Sequence, residues 1–163
     1  MKLGKLDWSV AIIAALTCVL MAIELPVWAL FIGWAWYYAL GSTPDLIRRC
    51  VPPMLMGSVL GYITFFLIDV FTKWGMPWLL PTIVSVFITV IVLMLSLKIE
   101  LFNISLVSFN AFCCVFAGFG TGSYLKIDGI PVYLNAFLWI TGAHFLGLLT
   151  GWISIAVTQP RKA

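Results

Sequence analysis

Few residues in this chain could do chemistry, and nearly all of them lie inside apolar runs. The stretch from Asn110 to Gly122, NAFCCVFAGFGTG, holds an amide, two thiols, a hydroxyl and three glycines at alternate positions. At about 100° per residue, Asn103, Asn110, Cys114, Ala117 and Thr121 share one helix face with Cys113 at its margin, while Phe102, Phe109, Phe112, Phe116 and Phe119 cover the other. The preceding apolar run repeats the pattern with hydroxyls, since Thr82, Ser85, Thr89 and Ser96 share one face. Buried amides and hydroxyls without partners cost several kcal/mol each, so both stripes are expected to meet protein, water or a solute. His144, the one histidine, shares a face of the last run with Thr141 and Gly151. It can move protons near neutral pH, or it can serve as a neutral hydrogen-bonding core residue.

Gly118, Gly120 and Gly122 are expected to end their helix early and leave irregular backbone lining a cavity. A helix interface followed by an ordinary loop accounts for the same residues. The GxGxG spacing is not a phosphate loop, because no Lys-Ser or Lys-Thr follows it. Glu24 and Asp69 fall at C-terminal ends of apolar runs, where the helix dipole disfavours a carboxylate by roughly 0.3–1 kcal/mol. Lys73 lies one turn beyond Asp69 and is its natural partner, whereas Glu24 has no such neighbour. Together the two carboxylates are assigned to an outer vestibule that attracts cations. The four cysteines, Cys18, Cys50, Cys113 and Cys114, form no CxxC and meet no histidine at ligand spacing, so neither a disulfide framework nor a metal site is expected. No Ser-His, paired-Asp or HExxH constellation is present, which argues against an enzyme, and no cofactor is implied.

The elements that must position these residues follow from composition. Of 163 residues 63% are hydrophobic and 9% charged, against roughly 45–50% and 25% in soluble domains. An all-α integral membrane protein is expected, a single transmembrane domain over 1–163 with no nucleic-acid partner. No small-x-small cleavage site follows the first apolar run, so that run is expected to stay in the mature protein. Six spans are read: Trp8 to Glu24, Val27 to Leu40, Val51 to Phe71, Trp78 to Leu97, Leu101 to Phe119 and Val132 to Val157. Their breaks hold Pro26, then Gly41 to Asp45, then Lys73 to Pro77, then Lys98 to Glu100, then the run ending at Pro131. Pro52, Pro53, Pro77 and Pro81 are placed in first turns. A five-span chain, with Glu24 and Pro26 inside one bent helix, is the alternative.

Charge favours six. Lys2, Lys5, Arg48, Arg49, Lys98, Arg161 and Lys162 then share one face and only Lys73 and Lys126 the other, which puts both termini in the cytoplasm. Trp36, Tyr37 and Tyr38, and Phe71, Trp74 and Trp78, are read as interfacial anchors.

The second span echoes the fifth at an offset of 78, pairing Phe31 with Phe109, Gly33 with Ala111 and Tyr38 with Phe116. Gly57-x-x-x-Gly61 is likewise answered by Gly147-x-x-x-Gly151. Three spans per unit make this a 3+3 inverted repeat, with halves at about 8–72 and 77–158 and a site where they meet. The four glycines are read as helix packing, between the halves or between subunits.

Phe31-Ile32-Gly33 with Tyr37-Tyr38-Ala39, and Phe116 to Gly120, resemble the YcdZ-like family of small bacterial inner-membrane proteins of unknown function. The chain has Gly41-Ser42-Thr43-Pro44 where that group more often shows a Cys-Pro-Gln-Gly type of turn. The resemblance implies a bacterial inner-membrane location and brings no site residues.

The function expected is a homo-oligomeric channel or facilitator for a small neutral or cationic polar solute, moving between the two halves. Its path would be lined by Asn110, Cys113, Cys114, Thr121, Thr82, Ser85, Thr89, His144, Gly118 and Gly120. The alternatives are a proton- or ion-coupled secondary transporter and a non-transporting accessory or assembly membrane protein.

Overall fold

The computed structural model describes residues 2–158, so Arg161 and Lys162 lie outside the described residues. It is all-helical, with no strand among the described residues. Six rods follow one another: α1 (Lys5–Ile23), α2 (Val27–Ala39), α3 (Leu46–Lys73), α4 (Leu80–Ser96), α5 (Ser105–Thr121) and α6 (Val132–Ala156). Three of them, α1, α3 and α6, are long and apolar enough to cross a membrane; α4 and α5 are apolar but shorter. At 13 residues α2 is about 20 Å long.

Local sequence explains each break. Glu24 adopts the left-handed conformation (φ 54°) and Pro26 follows, so α1 and α2 are separate rods and the bent-helix alternative fails. The two run antiparallel, because Ser9 near the start of α1 donates to the Ser154 carbonyl (2.9 Å) while Tyr38 near the end of α2 shares a hydrogen bond with the Ser154 hydroxyl (2.6 Å). Gly41 (φ 102°) and Ser42 (φ 58°) make the turn into α3. Pro81 falls in the first turn of α4, as expected, and Pro77 precedes that helix. Pro52 and Pro53 do not open a helix: α3 begins at Leu46 and both lie inside it. Leu46 is buried and can extend the helix backwards, an end that apolarity alone does not mark. The last rod contains its own irregularity, a π-turn over Phe137–Thr141.

Two close crossings organise the bundle. A Cβ on Gly57 would overlap the Ser108 carbonyl oxygen, and one on Gly61 would meet Val115 at 2.8 Å, so α3 lies directly on α5. A Cβ on Gly147 would overlap the Leu30 carbonyl oxygen, and one on Gly151 would meet Trp34 and Tyr37 at 2.9 Å, so α6 lies directly on α2. Both GxxxG pairs therefore join the first three rods to the last three, one of the two roles expected of them. On the outside of these crossings α4 packs on α3 and α1 packs on α6. Trp36 and Tyr37 are core residues, exposed by 2% and 1%, and not interfacial anchors. Their helical spacing with Gly33 turns them inward. Trp74 and Trp78 are exposed.

Candidate functional site

The polar stripe of α4 faces α3. Thr64 of α3 donates to the Thr89 hydroxyl (2.7 Å), and Thr89 donates to the Ser85 carbonyl of its own helix (2.8 Å). Ser85 is buried on the same side and Thr82 is half-buried one turn away. Hydroxyls in apolar helices commonly close on carbonyls of the preceding turn and on neighbouring hydroxyls, so this stripe is a helix contact. The structure does not bring it to α5 to form a path.

The expected inner face of α5 is also redrawn. Its buried residues include Ser108, Ala111, Phe112, Cys114, Val115 and Gly118, whereas Cys113 and Thr121 are exposed and Asn110 is half-buried. Phe112 packs into the core because the glycines of α3 admit a close crossing there. Gly118 and Gly120 do not unwind the helix. It continues to Thr121 and ends at Gly122 (φ 68°). A Cβ on Gly118 would meet Ile140 at 2.6 Å and the Trp28 ring at 2.9 Å, so that glycine is a packing residue. Gly120 is exposed beside the Phe65 ring. Intact i to i−4 bonds explain why isolated glycines in an apolar helix stay helical at a cost of only about 1 kcal/mol each.

What the structure does assemble is a centre between α2, α5 and α6. The Trp36 indole N–H donates to the Asn110 side-chain oxygen (3.4 Å), and the Trp36 ring lies 4.9 Å from the His144 ring, centroid to centroid. His144 is 0% exposed, and neither ring nitrogen has a hydrogen-bond partner among the described residues. Thr141, one turn before it, also has an unpartnered buried hydroxyl, as does Ser58 of α3. A buried donor or acceptor left unmatched costs about 1–3 kcal/mol, so each of these polar atoms opposes the packing that surrounds it. Trp36 is the member of this centre that the sequence reading missed. Its three-residue spacing from Gly33, which packs against the His144 backbone, is the signal that points to it.

A hollow sits at each end of α5. One, of about 610 Å³, lies between the start of α3 and the α4–α5 link and is lined by Arg48, Arg49, Pro52, Glu100 and Asn103 with Ile99, Leu101 and Ile104. In the turn before α3 the Thr43 hydroxyl, aided by Arg49, holds the Asp45 carboxyl below its usual range, and Arg49 approaches Asp45 to 3.8 Å. The other, of about 510 Å³, is formed by the α1–α2 turn and the end of α5, with Glu24, Trp28, Phe31, Ser123 and Tyr124 on its wall. Burial pushes the Tyr124 phenol up from its ordinary value. Asp69 does not line that second hollow; it bonds Lys73 at 2.6 Å on the surface, the pairing its spacing predicts. Seventeen residues of α5, about 25 Å, separate the two hollows. No group of three or more His, Cys, Asp or Glu side chains able to hold a metal occurs among the described residues.

Apolar rods crossed through paired glycines around a buried polar centre define a helical bundle with membrane-compatible elements. The chain belongs to the protein family of unknown function DUF1097, whose model matches residues 8–159. No curated protein and no solved structure matches it.

Proposed function

We propose that the chain is a bacterial inner-membrane transport protein of six spans, with both termini in the cytoplasm, that passes a small neutral or cationic polar solute between two inverted three-helix halves. The register of the contacts supports the repeat. Ser108, Phe112 and Val115 each follow Leu30, Trp34 and Tyr37 by 78 residues, and Gly147 and Gly151 each follow Gly57 and Gly61 by 90. Shifting both partners accordingly carries the contact of Gly57 with Ser108 onto that of Gly147 with Leu30. It carries the contacts of Gly61 with Phe112 and Val115 onto those of Gly151 with Trp34 and Tyr37. The distribution of Lys2, Lys5, Arg48, Arg49 and Lys98 against Lys73 and Lys126 supports the orientation, and the YcdZ-like resemblance supports the compartment.

The observation that carries the transport reading is the unpartnered His144 imidazole, buried with Trp36 and Asn110 between two hollows at opposite ends of α5 and nearer the first. A polar solute or water reaching the centre would supply the missing hydrogen bonds, and a site at the meeting of inverted halves is where such folds place one. Glu24 in one hollow favours neutral and cationic solutes over anions at that mouth. The expected partners are lipid, further copies of the chain against the exposed apolar faces of α1 and α4, and the solute itself.

The test is flux into proteoliposomes, read by light scattering for neutral solutes such as glycerol and urea and by tracer uptake for small ammonium cations. Flux above that of empty vesicles, lost in His144→Phe and Asn110→Leu, supports the reading. A well-folded protein that moves none of them ends it and leaves an accessory role. Because His144 is ionisable and enclosed, a coupled transporter is the second reading; uphill accumulation under an imposed pH gradient would establish it.

A further inference from the structure

Helices α3 and α6 share a second feature besides their glycine pairs. Each has an interrupted hydrogen-bond ladder, and the two interruptions fall at corresponding places. In α3, Pro52 and Pro53 lack the N–H groups that would reach the carbonyls of Arg48 and Arg49. In α6, the π-turn Phe137–Thr141 is followed at once by Gly142, beside which a Cβ would meet nothing. At the offset of 90, Pro52 corresponds to Gly142 and Val51 to Thr141. Both breaks therefore lie directly before the close-packed glycines, Gly57 in one rod and Gly147 in the other.

The two breaks also face each other. A lateral hollow of about 280 Å³ is lined by Val51, Met54 and Leu55 of α3 and by Thr141, Gly142 and Phe145 of α6. Val51 with Thr141, and Leu55 with Phe145, are pairs at the same offset of 90, so the hollow lies where the repeat's axis would pass. Beyond each break the N-terminal arm of the rod leads to one end of the bundle. The α3 arm carries Arg48 and Arg49 on the wall of the first hollow. The α6 arm starts at the other end, where the Asn135 amide donates to the Leu125 carbonyl (2.8 Å) just past Tyr124, which lines the second hollow.

Resting on the transport reading, we infer that these two breaks are paired hinges and that the protein works as an alternating carrier, opening its two end hollows to the buried centre one at a time. The physical reasons are specific. The glycine crossings next to each hinge leave no space for sliding, so any motion is confined to the arms beyond them. The two hinges border one shared hollow of about 280 Å³, so a movement at either hinge changes the space left at the other and the two ends are coupled. Thr141 and His144, with their unmatched polar atoms, sit at and just beyond the α6 hinge, so the movement that opens an end also brings polar partners to them. A pore continuously open at both ends would need no hinge in either rod.

The experiment uses the full chain in sealed membrane vesicles, with the four native cysteines changed to alanine. Two reporter cysteines, Ile104→Cys and Ser123→Cys, are placed singly in the two hollows and labelled with a membrane-impermeant maleimide from the matching side. A second cysteine pair, Arg49→Cys with Asn103→Cys, is then cross-linked to pin the α3 arm over the first hollow. Alternation predicts that the pin raises the Ser123→Cys labelling rate at least threefold. Pro52→Ala with Pro53→Ala, which restores the helical ladder, should abolish that response while leaving the protein folded by gel filtration. An unchanged Ser123→Cys rate on pinning overturns the inference, as does a response that survives the double alanine change. Independent ends together with solute flux would mean a passive pore, whereas coupled ends without flux would count against the transport reading alone.

Discussion

Each of the two glycine crossings of this bundle sets one glycine on a backbone carbonyl and the next on side chains, and they are filled differently. At the α2–α6 crossing the centre holds Trp36 and His144, with Asn110 reaching across from α5. At the α3–α5 crossing the corresponding positions hold Cys114 in place of Trp36, Met54 in place of His144 and, on α2, Ile32 in place of Asn110. Cys114 and Met54 are buried, apolar and need no hydrogen bonds. Both crossings bury unmatched hydroxyls, Ser58 and Tyr62 on α3 and Thr141 on α6, but only the α2–α6 crossing adds an imidazole. A bundle needing only to hold itself together would be served by the sulfur-containing version twice. The unmatched imidazole adds a cost that the buried thioether of Met54 does not carry, and proteins tend to keep such costs at functional sites.

Several substitutions break or sharpen this contrast. The largest effect is expected from Gly57→Ala and Gly147→Ala, whose new Cβ atoms would strike the Ser108 and Leu30 carbonyls. Each should lose roughly 1–3 kcal/mol or more in detergent unfolding, and to a similar degree if the crossings are equivalent. Gly142→Ala, with open space beside it, should not destabilise. Next comes His144→Met, which gives the polar crossing the residue of its counterpart. It should raise the midpoint of thermal unfolding, by the equivalent of about 1–3 kcal/mol, while flux is lost; a fall in stability would mean that the imidazole is well satisfied. Thr89→Val removes the hydrogen bond to Thr64 and should cost about 0.6 kcal/mol with flux unchanged, since the Thr89 hydroxyl meets α3 and its own helix. Asn110→Leu removes a long hydrogen bond and should cost about 0.5 kcal/mol, yet flux should fall more than in Thr89→Val.

Helical periodicity carried much of the fold but not the facing of its helices. The polar stripe of α4 was visible in the spacing of Ser85, Thr89 and Ser96, and all three are buried. Spacing cannot say which neighbour a stripe meets, and here it is Thr64 and not Asn110. On α5 the amide drew attention to Asn110, Cys114 and Thr121, of which only Cys114 is buried, whereas the core took the face through Ser108, Ala111, Cys114 and Gly118. In an apolar chain polarity is a weak guide to the inside, because close approach of backbones favours small residues whatever their polarity. Trp36 was hidden for a related reason: an indole serves equally as an interfacial anchor and as a buried donor, and only its neighbours decide.

The sequence by itself determined that the chain forms apolar helices, where they break, and that two GxxxG pairs stand 90 residues apart, because these follow from local hydrophobicity, proline, left-handed turns and residue size. The tertiary structure alone decided that α3 lies on α5 and α6 on α2, that His144 meets Trp36 and that the α4 hydroxyls do not meet Asn110. Those facts depend on which helix surfaces come into contact, and contact is a property of pairs of segments that no single segment encodes.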